Sequence, residues 1–137
     1  MPLGDAMTVR IVRLGTKRAN NEGLRIGTVR RPPRGVPKSA FAARDFYDVW
    51  LPQLSPEQHL VGAALQAQHA RDEKAWGVFT RKFRAAMKQP EAAHLLDLLA
   101  ALSHRTDFSI GCYCEDEAWC HRSVLRQLLA ERGARMA

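Results

Sequence analysis

Three prolines fall within eight residues, Arg30-Arg31-Pro32-Pro33-Arg34-Gly35-Val36-Pro37, and they constrain this chain more than any other feature. Each proline fixes φ and removes a backbone donor, so the stretch is excluded from helix and from central strand. It must be an extended loop that carries three arginines. On its N-terminal side, residues 7–14 alternate in polarity well enough for a strand, and Leu24–Val29 suits a second. The segment between them, Gly15 to Glu22 and Gly23, reads as a turn region. Beyond the loop, Phe46-Tyr47-Asp48-Val49-Trp50-Leu51 is a short apolar run, either strand or irregular.

The next part of the chain reads as helices. Ser55-Pro56-Glu57-Gln58 predicts a helix start, with Ser55 as cap, Pro56 at the first position and Gln58 closing a capping box, running towards Gln68. Trp76, Phe79, Phe83 and Met87 recur at helical spacing, so residues 73–88 predict an amphipathic helix whose stripe is core. Pro90-Glu91 opens a third, with Leu95, Leu98, Leu99 and Leu102 inward and His104 and Arg105 near its end. Residues 107–114 follow as a strand with Phe108, Ile110, Cys112 and Cys114 on one face. A last helix starts near Cys120, buries Val124, Leu125, Leu128 and Leu129, and ends at Gly133. The order predicts an α/β fold, a small mostly parallel sheet flanked by helices in one compact domain over residues 1–137, with 1–8 and 134–137 as loose ends. A chain of 137 residues can bury roughly 70% of its unfolded surface and needs no staples.

Composition narrows the setting. No apolar run approaches the roughly 20 residues of a membrane span, and the N-terminus lacks a basic region followed by an apolar core, so a cytoplasmic location is expected. The three cysteines, an odd number, all lie within nine residues, unlike a secreted disulfide framework. The net charge is +7, and residues 1–38 carry nine of the 21 Lys and Arg against only Asp5 and Glu22. A small anionic ligand, a nucleic acid or simply a solvated basic surface all fit that imbalance.

The candidate site is the strand–loop–helix turn from Cys112 to Arg122. Ligands of open α/β sheets bind beyond the carboxyl ends of strands, and helix N-termini present free N–H groups to anions. His121 and Arg122 fall in the first helical turn, where cations oppose the helix dipole unless an anion is bound. The alternative is that Arg122 pairs with Glu115, Asp116 or Glu117. Three readings apply to the thiols. Zinc is disfavoured by spacing: a Cys-x-Cys pair on a straight strand sets its Cα atoms about 6.6 Å apart, and adjacent Cys120 and His121 on a helix diverge by about 100°. No metal and no cofactor are therefore expected. A reactive thiol is the second reading, with Cys114, Cys120 and His121 as catalytic candidates, since Cys120 has the surroundings that favour thiolate. A Cys-x5-Arg loop of the phosphatase or sulfurtransferase kind is not matched, because seven residues separate Cys114 from Arg122 and Arg122 stands two after Cys120. Plain packing is the third, above all for Cys112.

Arg25 to Val36 followed by Asp48-Val49-Trp50-Leu51, with the later Trp76, Phe79, Phe83 pattern, resembles the YeaO-like branch of domain-of-unknown-function family 488 over about residues 10–133. The residues that match are Arg30, Pro33, Arg34, Gly35, Asp48 and Trp50. Val29 departs from the usual Asp, and Arg31-Pro32 from Leu-Trp. Cys112-Tyr113-Cys114 with Cys120-His121-Arg122 is similar instead to the Cys-x-Glu…Cys-His-Arg signature of the wider family. The resemblance implies an α/β fold and no particular reaction. Together these readings predict a binding or catalytic site for a small phosphorylated or nucleotide-like anion. Arg30, Arg34, His121 and Arg122 would hold the anion, and Asp48 and Trp50 would form the wall. The alternatives are a nucleic-acid accessory protein, although no helix-turn-helix, zinc-finger or RNP pattern is present, and a non-catalytic interaction module. The Arg30–Gly35 loop is expected to lie beside the start of the last helix.

Overall fold

In the computed structural model, which describes residues 7–137, four strands form one wholly parallel sheet in the order β1-β4-β2-β3. These are β1 (Val9–Arg13), β2 (Leu24–Gly27), β3 (Val49–Trp50) and β4 (Phe108–Cys112). β4, the last strand in sequence, is inserted between the first two, pairing Ile11 and Ile26 on either side of Ile110. Paired on both edges and covered on both faces, all five of its residues are buried, as a central parallel strand requires. The α/β reading of the sequence thus holds. The ambiguous run after the proline loop yields only the two-residue edge strand β3.

The return from β3 to β4 is made by three helices, α1 (Gln58–Ala70), α2 (Glu73–Ala86) and α3 (Pro90–Leu102), and α4 (His121–Glu131) follows β4. Phe79, Phe83 and Met87 of the aromatic stripe are buried and meet Leu96, Leu125 and Leu129 in the main core. Each such side chain contributes roughly 1.5–3 kcal/mol by leaving water. A smaller cluster of Leu14, Val29, Tyr47, Cys112 and Cys120 lies where the strands end.

Three local expectations change. Ser55 does not cap α1; its hydroxyl donates to the Pro52 carbonyl at 2.6 Å and closes a 3-10 turn over Pro52–Leu54, so the helix starts later, with Glu57 at its N-cap. In α3 the inward stripe is Ala92, Leu96, Leu99 and Ala100, while Leu98 is 54% exposed. An almost continuous apolar run offers two possible phases, and packing selects one. Residues 134–137 are not loose: Val9 donates to Arg135 O and Ala137 donates to Val9 O, both at 2.9 Å, and Met136 bridges Val9. The tail thereby pairs backbone groups that the outer edge of β1 would otherwise expose. Of the N-terminal residues expected to be loose, 1–6 lie outside the described residues, and Thr8 donates its amide to Asp107 Oδ1.

Candidate functional site

Beyond the carboxyl ends of β2 and β4 lies a cavity of about 760 Å³. One wall is the proline loop, Arg30 to Arg34; the facing wall is the turn from Cys112 to Cys114 together with Trp119, Cys120 and His121; α1 supplies Gln58, Val61 and Gln68. The loop and the start of the last helix therefore face the same space. Tyr113 ties them, its hydroxyl donating to Arg31 O at 2.9 Å. Gly111 allows the close approach at the end of β4, where a Cβ would stand 2.6 Å from a Leu14 methyl.

His121 is buried, and its orientation is fixed by the residue that follows β2. Nε2 lies 2.6 Å from the Thr28 carbonyl oxygen, which can only accept, so Nε2 carries a hydrogen. Nδ1 then faces Cys120 Sγ at 3.7 Å. The premise that Cys120 and His121 are helical neighbours does not hold, because Cys120 is the N-cap of α4 with extended backbone, φ −130° and ψ 149°. Nor do the residues from Cys112 to Cys114 continue as straight strand: β4 ends at Cys112, and the two sulfurs stand 3.8 Å apart. Among the three thiols Cys120 is the one driven towards thiolate, by hydrogen bonds from Cys112 and then Cys114, with His121 assisting against the cost of burial. Cys112 is pushed the other way by its bonds to Cys114 and Cys120 and by burial. For Cys114 the Cys112 hydrogen bond is the largest influence and pulls it down, but Cys120 and burial outweigh it and leave it at about 11.

Arg122 is buried and is not among the residues that line the cavity. Its Nε donates to Cys120 Sγ at 3.4 Å and its Nη2 to Cys114 O at 2.7 Å. It pairs with none of the three loop acids, which take Arg13 (Glu115), Arg71 (Asp116) and Arg126 (Glu117) instead. Of the residues singled out in the sequence, Arg30, Arg34, Cys114, Cys120 and His121 line the cavity. Asp48 and Trp50 do not. Asp48 precedes β3, at the end of the sheet opposite the cavity, where it accepts from the Arg25 amide and pairs with Arg18 at 2.7 Å. Trp50 lies on the edge strand, 40% exposed, donating to Val29 O. The guanidinium of Arg30 is tied to the Ser55 and Pro56 carbonyls and anchors the loop, whereas Arg34 makes no salt bridge among the described residues. Sequence reasoning missed Thr28, Tyr113 and Trp119; the first two act across the β2–β4 pairing, and Trp119 packs on Trp76 and under Arg71, contacts that no local pattern reveals.

A family model described as the active DUF488-N3 subclade matches residues 9–133. The chain belongs to the DUF488 family. The match covers every strand and helix of this DUF488 protein and is compatible with the YeaO-like resemblance. Comparison with curated proteins and with solved structures finds no significant match. Among the described residues of the DUF488 chain, no helix is long and apolar enough to cross a membrane.

Proposed function

We propose that the cavity binds a small anionic ligand of nucleotide-like size, a phosphorylated compound with a planar ring. The observation that carries this reading is the convergence of a proline-stiffened arginine loop and the Cys–His turn on one space of about 760 Å³. Cavities that enclose small ligands span roughly 300–1,000 Å³ and combine apolar walls with a few polar groups. Phe46, Tyr113 and Trp119 supply flat apolar surface, and Arg31 and Arg34, both exposed, supply charge at the rim. Preset loop geometry favours this use, since less chain entropy is lost on binding. His121, engaged with Thr28, shapes the wall rather than grips the anion, and Arg122, engaged with Cys120, stands outside the lining. A nucleic-acid role has less support: Arg13, Arg18 and Arg25 of the basic N-terminal third spend their charge on Glu115, Asp48 and Glu22.

Thermal unfolding with a panel of nucleoside phosphates, sugar phosphates and free phosphate tests the proposal. At least one ring-bearing phosphate is expected to raise the melting temperature. Arg34→Ala is then expected to weaken its binding by roughly 10- to 150-fold, the equivalent of about 1.5–3 kcal/mol for a charge-assisted hydrogen bond. If no compound in the panel shifts the wild type, or if Arg34→Ala binds the active one unchanged, the reading is overturned.

A further inference from the structure

The donor atoms of Cys112, Cys120 and His121 lie within 4.8 Å of one another in the buried floor of the turn. We infer that Cys112, Cys114, Cys120 and His121 form a binding site for a thiophilic divalent cation, with zinc as the natural probe. Zinc–sulfur bonds of about 2.3 Å and zinc–nitrogen bonds of about 2.0–2.1 Å in a tetrahedron place neighbouring ligand atoms roughly 3.5–3.8 Å apart. Two edges of that figure are already present: Cys112 Sγ to Cys114 Sγ at 3.8 Å, and Cys120 Sγ to His121 Nδ1 at 3.7 Å. The remaining separation within the buried trio needs about 1 Å of approach at most, which thiol rotation supplies.

The surroundings match what a metal-bound imidazole and thiolates require. A ligating histidine donates its second ring nitrogen to a carbonyl or carboxylate, which fixes its tautomer. Here Nε2 is held by Thr28 O, and Nδ1 is left towards the sulfurs. Three thiolates and one divalent cation sum to one negative charge. Arg122, a buried guanidinium with no carboxylate partner among the described residues, donates to Cys120 Sγ and supplies the balancing positive charge. As the sulfur–metal bonds form, the three thiol protons leave to solvent. Cys114 is the half-buried member and lines the cavity, so the centre would sit at the cavity wall.

The site stands independently of the anion proposal, because it is read from metal content and spectra with no ligand added. Full-length protein, purified without chelator and dialysed against zinc, is expected to retain one zinc per chain. Cobalt substitution is expected to give sulfur-to-metal charge-transfer bands and the intense visible bands of a tetrahedral ion. All three thiols should resist a thiol reagent until chelator is added. Because Cys112→Ser or Cys120→Ser could prevent folding, Cys114→Ser is the decisive variant: it should fold, lose at least ~10-fold in zinc affinity and lose cobalt charge-transfer intensity. Folded wild type that holds no zinc after dialysis, cobalt spectra without sulfur bands, or a folded Cys114→Ser variant with unchanged zinc affinity would each overturn the inference.

Discussion

Two arginines are buried against the central sheet, and they are satisfied in different ways. Arg25, 0% exposed, spends its donors on both oxygens of Glu22 (2.7 and 2.9 Å) and on the carbonyls of Thr16 and Asp45. Arg122, 3% exposed, has a thiol sulfur and one carbonyl. The first is a closed circuit whose charges cancel within the fold. The second is a positive charge with no carboxylate partner among the described residues, set against a cysteine sulfur. A buried cation without a carboxylate is expensive unless another anion is present. Its placement beside three thiols therefore points to chemistry at the sulfurs, whereas the Arg25 network points to structure alone.

The largest effect is expected at the closed circuit. Arg25→Met keeps much of the aliphatic stem and strands the Glu22 carboxylate, which is expected to cost roughly 3–5 kcal/mol of stability. Chemical denaturation of the variant, with the slope checked for two-state behaviour, measures it. A loss under about 1 kcal/mol would mean that Glu22 finds other partners and that the circuit is not the structural element described.

Arg25 also illustrates what the sequence could and could not disclose. In the chain it is one more cation in a basic segment, and nothing in residues 20–30 marks it as fully buried. Burial follows from Ser109 and Ile110 arriving beside it, more than eighty residues later in the chain. The elements themselves were legible where periodicity was clean, as in the Phe79 and Phe83 stripe of α2 and the Val124, Leu125, Leu128, Leu129 face of α4. Phase was not legible in α3, where leucines occupy both possible faces, and Leu98 turned outward in favour of Leu96. In the candidate site, the turn and the proline loop were readable because strand ends and rigid loops are local features. Asp48 was misplaced because an acid beside a tryptophan reads equally well as a cavity wall or as an ion pair. The thiol geometry was hidden by the extended N-cap at Cys120, a single backbone conformation that no spacing rule predicts.

A smaller effect is expected at the open arginine. Arg122→Met removes hydrogen bonds to a sulfur and a carbonyl but strands no carboxylate, so the loss should be about 1.5–3 kcal/mol, less than at Arg25. If the cysteines hold a metal, the same change should lower zinc affinity by roughly 10- to 100-fold, as loss of a group supporting a metal ligand does. Arg25→Met should leave metal affinity unchanged, because Arg25 bonds Glu22, Thr16 and Asp45 and none of the four candidate ligands. Equal stability losses in the two variants would erase the distinction between a closed and an open arginine.

The smallest effect is expected at Ser109, beside Glu22, and it depends on pH. Burial raises the Glu22 carboxyl, but hydrogen bonds from Arg25, the Ser109 hydroxyl and the Ala19 amide, with the Arg25 charge, outweigh it and leave the group below its ordinary value of 4.5. A carboxyl depressed in the folded state binds fewer protons there than in the unfolded chain. Its stabilising contribution is therefore complete above the unfolded value near 4.5 and is lost as pH falls through the lower folded value. Ser109→Ala removes the hydroxyl that donates to Glu22 Oε2 at 2.8 Å while leaving both Arg25 contacts in place. At pH 7 the variant should be about 1 kcal/mol less stable. In the variant Glu22 is less depressed, so the protonated form is reached at higher pH and less stability depends on ionisation. The gap between wild type and variant should then narrow as pH falls below about 4.5, once Glu22 is protonated in both. Denaturation curves from pH 7 to about 3 read that gap directly. A difference that stays constant across the range would show that Ser109 acts through packing of the central strand, and that Arg25 and the Ala19 amide hold Glu22 without it.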